Sequence, residues 1–237
     1  MDYTPSYDLI IATPAFGGMV TTGYTSSMIK SFYGMHADKI SHKVLFLDNE
    51  SLIQRGRDKC AGIALETGAK RLLFIDADIS WDYANIKSLM TAMTEKEMGV
   101  IAGTYPCKTL PIQLNYNPLA CDIEAYFSNG RKRTPALHRE FAKAKGAVVE
   151  MMHVPTGFML IDVEKVLVKA LAGAQDYGSM GKQLKTYFPV RVFNGVLESE
   201  DWGFCSICRE NGIPVYLHTD VVLPHTGTVA YDWNKFG

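Results

Sequence analysis

Apolar residues in this chain fall in short blocks, and the polar, glycine- or proline-containing breaks between them alternate strands with helices. Leu9 to Ala12 is an apolar run ended by Thr13-Pro14, as expected of a buried strand. A glycine-containing loop follows, then Tyr24 to Tyr33 reads as a helix and Lys43 to Leu47 as a second strand. Ser51 offers an N-cap to a helix running to about Thr67, with Gly68 placed to close it. Arg71 to Ile75 is a third strand, Asp82 caps a helix reaching roughly Glu97, and Gly99 to Gly103 is a fourth strand. This β-α-β-α-β-α-β order predicts an α/β fold with a mostly parallel central sheet, right-handed crossovers and flanking helices.

After Tyr105 the alternation stops and the C-terminal half is more mixed. Leu110 to Val149 reads as short strands and loops, Phe158 to Ile161 as a strand and Val163 to Ala172 as a helix. Gly173 to Gln183 reads as a glycine-rich mobile stretch. Asp201 to Glu210 is a helix closed by Asn211-Gly212, and Val215 to Leu217 and Val221 to Leu223 are short strands before His225. No repeat, low-complexity tract or linker interrupts the chain, so one continuous domain over residues 1–237 is expected.

Composition narrows the function classes. With 237 residues, 47% hydrophobic and 21% charged, the chain can bury a sizeable core and does not read as disordered. A net charge of -1 with both signs spread along the chain argues against a nucleic-acid partner, and Arg131, Lys132 and Arg133 read as a solvated loop. Residues 1–7 lack the layout of a signal peptide, and no apolar run is long enough for a transmembrane segment. Five cysteines, an odd number, favour reduced thiols and a soluble, cytoplasmic chain. Cys205 and Cys208 form a CxxC, but within a helix their spacing puts both on one face, which points to burial rather than zinc or redox chemistry.

The candidate chemistry begins at Leu72-Leu73-Phe74-Ile75-Asp76-Ala77-Asp78. An apolar strand there delivers two carboxylates at its C-terminal end, where open α/β sheets bind ligands. Carboxylate oxygens suit Mg²⁺ or Mn²⁺, ions that bridge to substrate phosphates. The competing interpretation is a solvated Asp-x-Asp turn. Gly17-Gly18 fits neither a P-loop nor a Rossmann fingerprint and reads as a flexible turn.

Five stretches, in order, resemble the GT-A glycosyltransferases, above all the compact family-2-like enzymes of viruses, phages and bacteria. They are Ala12-Thr13-Pro14; Arg55 to Ala64 leading into Phe74-Ile75-Asp76-Ala77-Asp78; Gly103 to Lys108; Thr156 to Ile161; and Ser199 to Cys205 continuing to His225. The resemblance implies a GT-A domain with a nucleotide-binding half over about 1–108 and an acceptor and catalytic half over about 109–237. It implies a sugar transfer from a nucleoside diphosphate of UDP or GDP type onto a glycan, glycoprotein or glycolipid hydroxyl, assisted by Mn²⁺ or Mg²⁺.

The same resemblance assigns roles to residues. Asp78 would bind the cation, and Asp76 the ribose or the metal, with Ala77 between them at the nucleotide. His225 would be a second metal ligand; its alternative is a hydrogen-bonded histidine at a strand end. Thr13 and Pro14 would lie at the nucleobase. Arg57 and Lys108 would add positive charge near the diphosphate, against the alternative of surface solvation. Arg57 is followed by Asp58 where relatives often carry Asn, a departure that touches its nucleotide contact. Asp201 would be the general base of an inverting displacement, with Glu200 as its rival; carboxylates at a helix start also serve as plain caps. Thr156 and Gly157 would approach the sugar or acceptor. Trp202 is either an acceptor platform or a core residue. A sugar-nucleotide nucleotidyltransferase and a non-catalytic nucleotide- or carbohydrate-binding protein are the competing functions. Thr13 to Gly23 has the glycines of a nucleotidyltransferase loop but no Lys or Arg.

Overall fold

The computed structural model describes residues 3–109, 112–119, 133–179 and 181–227. Arg131, Lys132 and Cys121, read above as loop residues and a reduced thiol, lie outside these. The first four strands fall where the apolar blocks place them: β1 (Leu9–Ala15), β2 (His42–Asp48), β3 (Arg71–Ile75) and β4 (Val100–Thr104). Between them run α1 (Thr22–Ala37), α2 (Ile53–Thr67) and α3 (Tyr83–Glu95). Thr21 caps α1 by accepting from the Tyr24 N–H at 3.2 Å. Helix α2 starts later than Ser51 suggested, and Gly68 closes it in the left-handed conformation at φ 78°.

Strands β1, β3 and β4 are buried on both faces, and alternation sorts their side chains into two cores. Ile10, Ala12, Leu72 and Phe74 face α2 and the C-terminal helices, whereas Leu9, Ile11, Leu73 and Ile75 face α1 and α3. Trp81 belongs to the second core, 4% exposed, with its indole N–H donated to Ser31 Oγ at 2.8 Å. The result is an α/β/α sandwich on an eight-stranded sheet.

The second half completes this sheet with β5 (Asn117–Pro118), β6 (Val148–His153), β7 (Phe158–Asp162) and β12 (Val215–Val222), in the order β2-β1-β3-β7-β4-β12-β6-β5. Strand β4 does not follow β3 across the sheet: antiparallel β7 pairs with both, Ile75 opposite Phe158 and Ala102 opposite Met159. Strands β1 to β4 and β12 still point one way, β12 lying parallel to β4. The two short strands expected after Pro214 are the single strand β12, with a register shift between Leu217 and Val222.

Other expectations change in the second half. Within the region read as short strands and loops lies a helix, α4 (Pro135–Lys145), capped by Thr134 and begun by Pro135. The glycine-rich stretch read as mobile forms an antiparallel hairpin, β8 (Asp176–Ser179) with β9 (Lys182–Lys185). Asp58 holds the neighbouring chain: its carboxylate accepts from the Tyr187 and Phe188 N–H groups at 2.8 and 2.9 Å and from the Tyr177 hydroxyl at 2.9 Å. A second hairpin, β10 (Arg191–Phe193) with β11 (Val196–Glu198), turns at Asn194-Gly195, both at positive φ. Val163–Ala170 is a π-helix, and the last helix, α5, spans Glu200–Glu210. Cys205 and Cys208 point inward from α5 and are fully buried as free thiols, as their spacing predicted. Among the described residues no helix is long and apolar enough to cross a membrane.

Candidate active site

The C-terminal ends of β3, β4 and β12 meet at one corner of the sheet, and the two aspartates emerge there. The chain after β12 is laced onto the Asp76–Ser80 turn: Ile79 bridges His225, Ser80 N–H donates to Pro224 O at 3.1 Å, and Thr226 N–H to Asp78 O at 2.9 Å. This brings His225 Nε2 to 3.4 Å from Asp78 Oδ1, across 147 positions of sequence. His225 Nδ1 lies 2.7 Å from the Pro106 carbonyl, which can only accept, so Nδ1 carries the proton. In the neutral ring the Nε2 lone pair therefore faces Asp78. The other Asp78 oxygen is held by the Lys108 ammonium.

These contacts set the charges. Burial works against an ionised Asp78, but the contacts with His225 and Lys108 outweigh it and hold its pKa at about 2. Burial likewise disfavours the His225 imidazolium, and Asp78 with the Pro106 carbonyl overcomes it and raises that pKa above the ordinary histidine value.

Asp76 takes a different partner. Its Oδ1 accepts from Arg57 Nη2 at 3.0 Å, and Arg57 Nε reaches Glu200 Oε1 at 3.4 Å. Arg57 is only 2% exposed and lies over the Phe74 ring, so it is not a solvated surface residue. Its Nη1 is buried with no hydrogen-bond partner among the described residues. Helix α2 thus splits the neighbouring pair: Arg57 faces the corner and Asp58 ties down the chain around Tyr187. Burial raises the Glu200 pKa, with Arg57 opposing and Asp201 reinforcing the shift.

Gly157 closes the space behind Asp76. It immediately precedes β7, whose antiparallel insertion puts its start beside the end of β3, and Asp76 N–H donates to Gly157 O at 3.0 Å. A Cβ on Gly157 would lie 2.4 Å from the Tyr105 hydroxyl and 2.7 Å from Asp76 Oδ2, so any side chain there displaces one of them. Thr156 beside it is buried. Tyr105 accepts from Gly157 N–H at 3.1 Å and meets the His225 ring edge-on at 4.9 Å. Burial keeps its phenol protonated well above the ordinary range.

Helix α5 supplies the remaining groups from its first turn. Gly203 allows the close approach that sets this helix, since a Cβ there would meet Pro189 O at 1.9 Å. Asp201 Oδ1 accepts from the Ser199 hydroxyl and from Trp202 N–H, and among the described residues no hydrogen bond reaches Oδ2. Trp202 is half-buried and stacks face to face on His153, with centroids 4.6 Å apart and planes 1° apart.

Not every expected residue reaches the corner as a side chain. Thr13 is fully buried, its hydroxyl 2.6 Å from that of Tyr24 inside the core. Pro14 is half-buried at the end of β1, and Ala77 contributes its carbonyl to Thr21 N–H at 2.9 Å. Tyr105, Pro106 and His153 were not singled out from the sequence. The Pro106 contribution is a backbone carbonyl, which leaves no trace in residue type.

The donor set suits a divalent cation. The Nδ1–H to carbonyl bond that exposes Nε2 is the outer support typical of a metal-binding imidazole, and Asp78 brings the anionic oxygen. Among the described residues no third His, Cys, Asp or Glu completes a cluster. Such a site suits an ion that takes its remaining oxygens from phosphate and water.

No protein-family profile and no curated protein matches the chain. Solved structures do. GalNAc-T7 with UDP, GalNAc and Mn²⁺ aligns at TM-score 0.53 and 11% identity, over 94% of this chain and 44% of that one. S. aureus TarS 1–349 in complex with UDP-GlcNAc aligns at TM-score 0.52 and 11% identity, over 94% of this chain and 60% of that one. The A197 protein of STIV aligns at TM-score 0.47 and 14% identity, over 95% and 97% of the two chains. The chain therefore spans 60% or less of the TarS and GalNAc-T7 structures. At 11% identity the likeness to TarS and GalNAc-T7 establishes the fold alone, which is GT-A.

Proposed function

We propose that the chain is a glycosyltransferase that moves a sugar from a nucleoside diphosphate, of UDP or GDP type, to an acceptor hydroxyl. The observation that carries this reading is the convergence of Asp78 and His225, with His225 Nε2 3.4 Å from the carboxylate and its proton anchored at Nδ1. In this reading residues 1–108 serve mainly the nucleotide and the remainder the acceptor and the chemistry.

Asp78 and His225 would hold Mn²⁺ or Mg²⁺, and a cation there supplies charge stabilisation to the departing diphosphate without proton transfer. Arg57 fixes Asp76 beside Gly157 and, through Glu200, ties the start of α5 to the donor corner. Gly157 lets Tyr105 and Asp76 pack against bare backbone, which keeps both side chains in place at the donor corner. Asp201 is the general base: Ser199 and Trp202 N–H orient one carboxylate oxygen, and the other is free to take the acceptor proton. Glu200, bound to Arg57, is a positioning residue. Trp202, backed by His153, offers its other face to a glycan acceptor.

Asp201→Asn tests this assignment directly. Turnover of the matching UDP- or GDP-sugar should fall by about 10²–10⁴-fold while donor binding is retained. Unchanged turnover would remove Asp201 from the chemistry. Donor binding with no sugar transfer to any acceptor by the unaltered protein would favour the non-catalytic binding protein, and transfer of a nucleotidyl group would favour the nucleotidyltransferase.

A further inference from the structure

One oxygen of Asp78 is held by the Lys108 ammonium, and the other lies 3.4 Å from His225 Nε2. The loop that carries Lys108 is built into the corner. Pro106 O takes the His225 Nδ1 proton at 2.7 Å, Pro106 bridges Leu114, and Cys107 N–H donates to Gln113 O at 2.7 Å. The hydrogen bond that aims the imidazole therefore also fixes the backbone from which Lys108 extends. The lysine stem runs past Gly227, where a Cβ would lie 3.6 Å from Lys108 Cδ. Lys108 is 46% exposed and Asp78 32%, so the ammonium can leave without opening the core.

A divalent cation at this corner finds two protein ligands and must displace an ammonium from one of them. A diphosphate changes the balance, because it offers the ammonium a second anion within reach of its flexible stem. We propose that Lys108 is a counter-ion shared between Asp78 and the donor diphosphate, so that nucleotide binding releases the carboxylate and the cation binds after the nucleotide. This inference rests on the glycosyltransferase reading and adds an order of binding to it. Coupling of this kind is reciprocal: whatever loosens Lys108 from Asp78 favours the metal, and whatever removes Lys108 penalises the nucleotide.

The test uses two separate titrations of the full chain, Mn²⁺ without nucleotide and UDP or GDP without metal, each followed calorimetrically. Lys108→Met should bind Mn²⁺ about two- to fivefold more tightly than the unaltered protein, the size of effect an exposed ion pair supports. The same variant should bind the preferred nucleotide several-fold more weakly. Asp78→Asn should do the reverse, losing Mn²⁺ and gaining metal-free nucleotide affinity. The opposite signs are diagnostic. If Lys108→Met leaves Mn²⁺ affinity unchanged or weaker, or strengthens both ligands, Lys108 is not shared and the inference falls alone. If neither Mn²⁺ nor either nucleotide binds the unaltered, folded protein, the glycosyltransferase reading fails and takes this inference with it.

Discussion

The two aspartates of Asp76-Ala77-Asp78 stand one residue apart and live in different physical worlds. Asp76 is bound by a buried guanidinium that also holds Glu200, whereas Asp78 is bound by a half-exposed ammonium and a histidine. Charge removed from water is costly to leave unpaired, so the Arg57 triad has one arrangement and keeps it. A pair open to water contributes little and exchanges readily. The difference separates a fixed scaffold from an exchangeable site within a single tripeptide.

The comparison is most open to attack at Arg57. Arg57→Leu should destabilise by about 3–5 kcal/mol, because it strands two carboxylates in a largely buried place, and should lower Tm by on the order of 10 °C. Arg57→Lys should recover only part, since one ammonium lacks the fork that reaches both partners. A Tm within a degree or two for Arg57→Leu would make the two aspartates alike after all. Gly157→Ala comes next, at about 1–3 kcal/mol, because its Cβ must push aside the Tyr105 hydroxyl or Asp76 Oδ2. Nucleotide-sugar binding should weaken with it, and unaltered binding would show that the space behind Asp76 is not used.

A third ion pair lies between these extremes and sharpens the scale. Arg55 holds the Glu50 pKa down at about 2, with burial opposing it and Lys59 assisting. A depressed carboxyl contributes stability that is full above its ordinary value of 4.5 and disappears as pH falls through about 2. Glu50→Gln should therefore cost ~1 kcal/mol at pH 7 and progressively less on acidification, followed by thermal melts across pH 2–7. A pH-independent loss would assign the effect to packing. The smallest effect belongs to Lys108: Lys108→Met should change stability by less than ~0.5 kcal/mol, and a larger loss would mean that its pair with Asp78 is structural.

What the sequence made legible follows the same division between continuous and composite features. Strands such as Leu72 to Ile75 show themselves because burial on both faces demands an unbroken apolar run, and the aspartates at the end of that run stood out with them. His225 was reachable because resemblance linked it to the aspartates; spacing alone carried no such information. For Arg57, expected near the diphosphate, surface solvation stayed open as the alternative because nothing in α2 announces that a guanidinium is buried between two carboxylates supplied by other elements. The hairpin at Asp176–Lys185 was missed because its residues are mostly polar, with no apolar run, and its Tyr177 is anchored by a distant carboxylate, Asp58. Helix α4 and the Asn194-Gly195 turn were different: Thr134-Pro135 before a helix and Asn-Gly between strands are local signals, and both were present.

Strand β7 carries one more consequence, for how the molecule is made. Because β3 and β4 share no backbone hydrogen bonds and each leans on β7, a nascent chain that has emerged only as far as Lys108 has a sheet with a missing plank. The facing edges of β3 and β4 stay open to mispairing until residues 158–162 leave the ribosome and slot between them. The arrival that seals this gap also delivers Gly157 to Asp76, so the corner takes shape only as the sheet is completed.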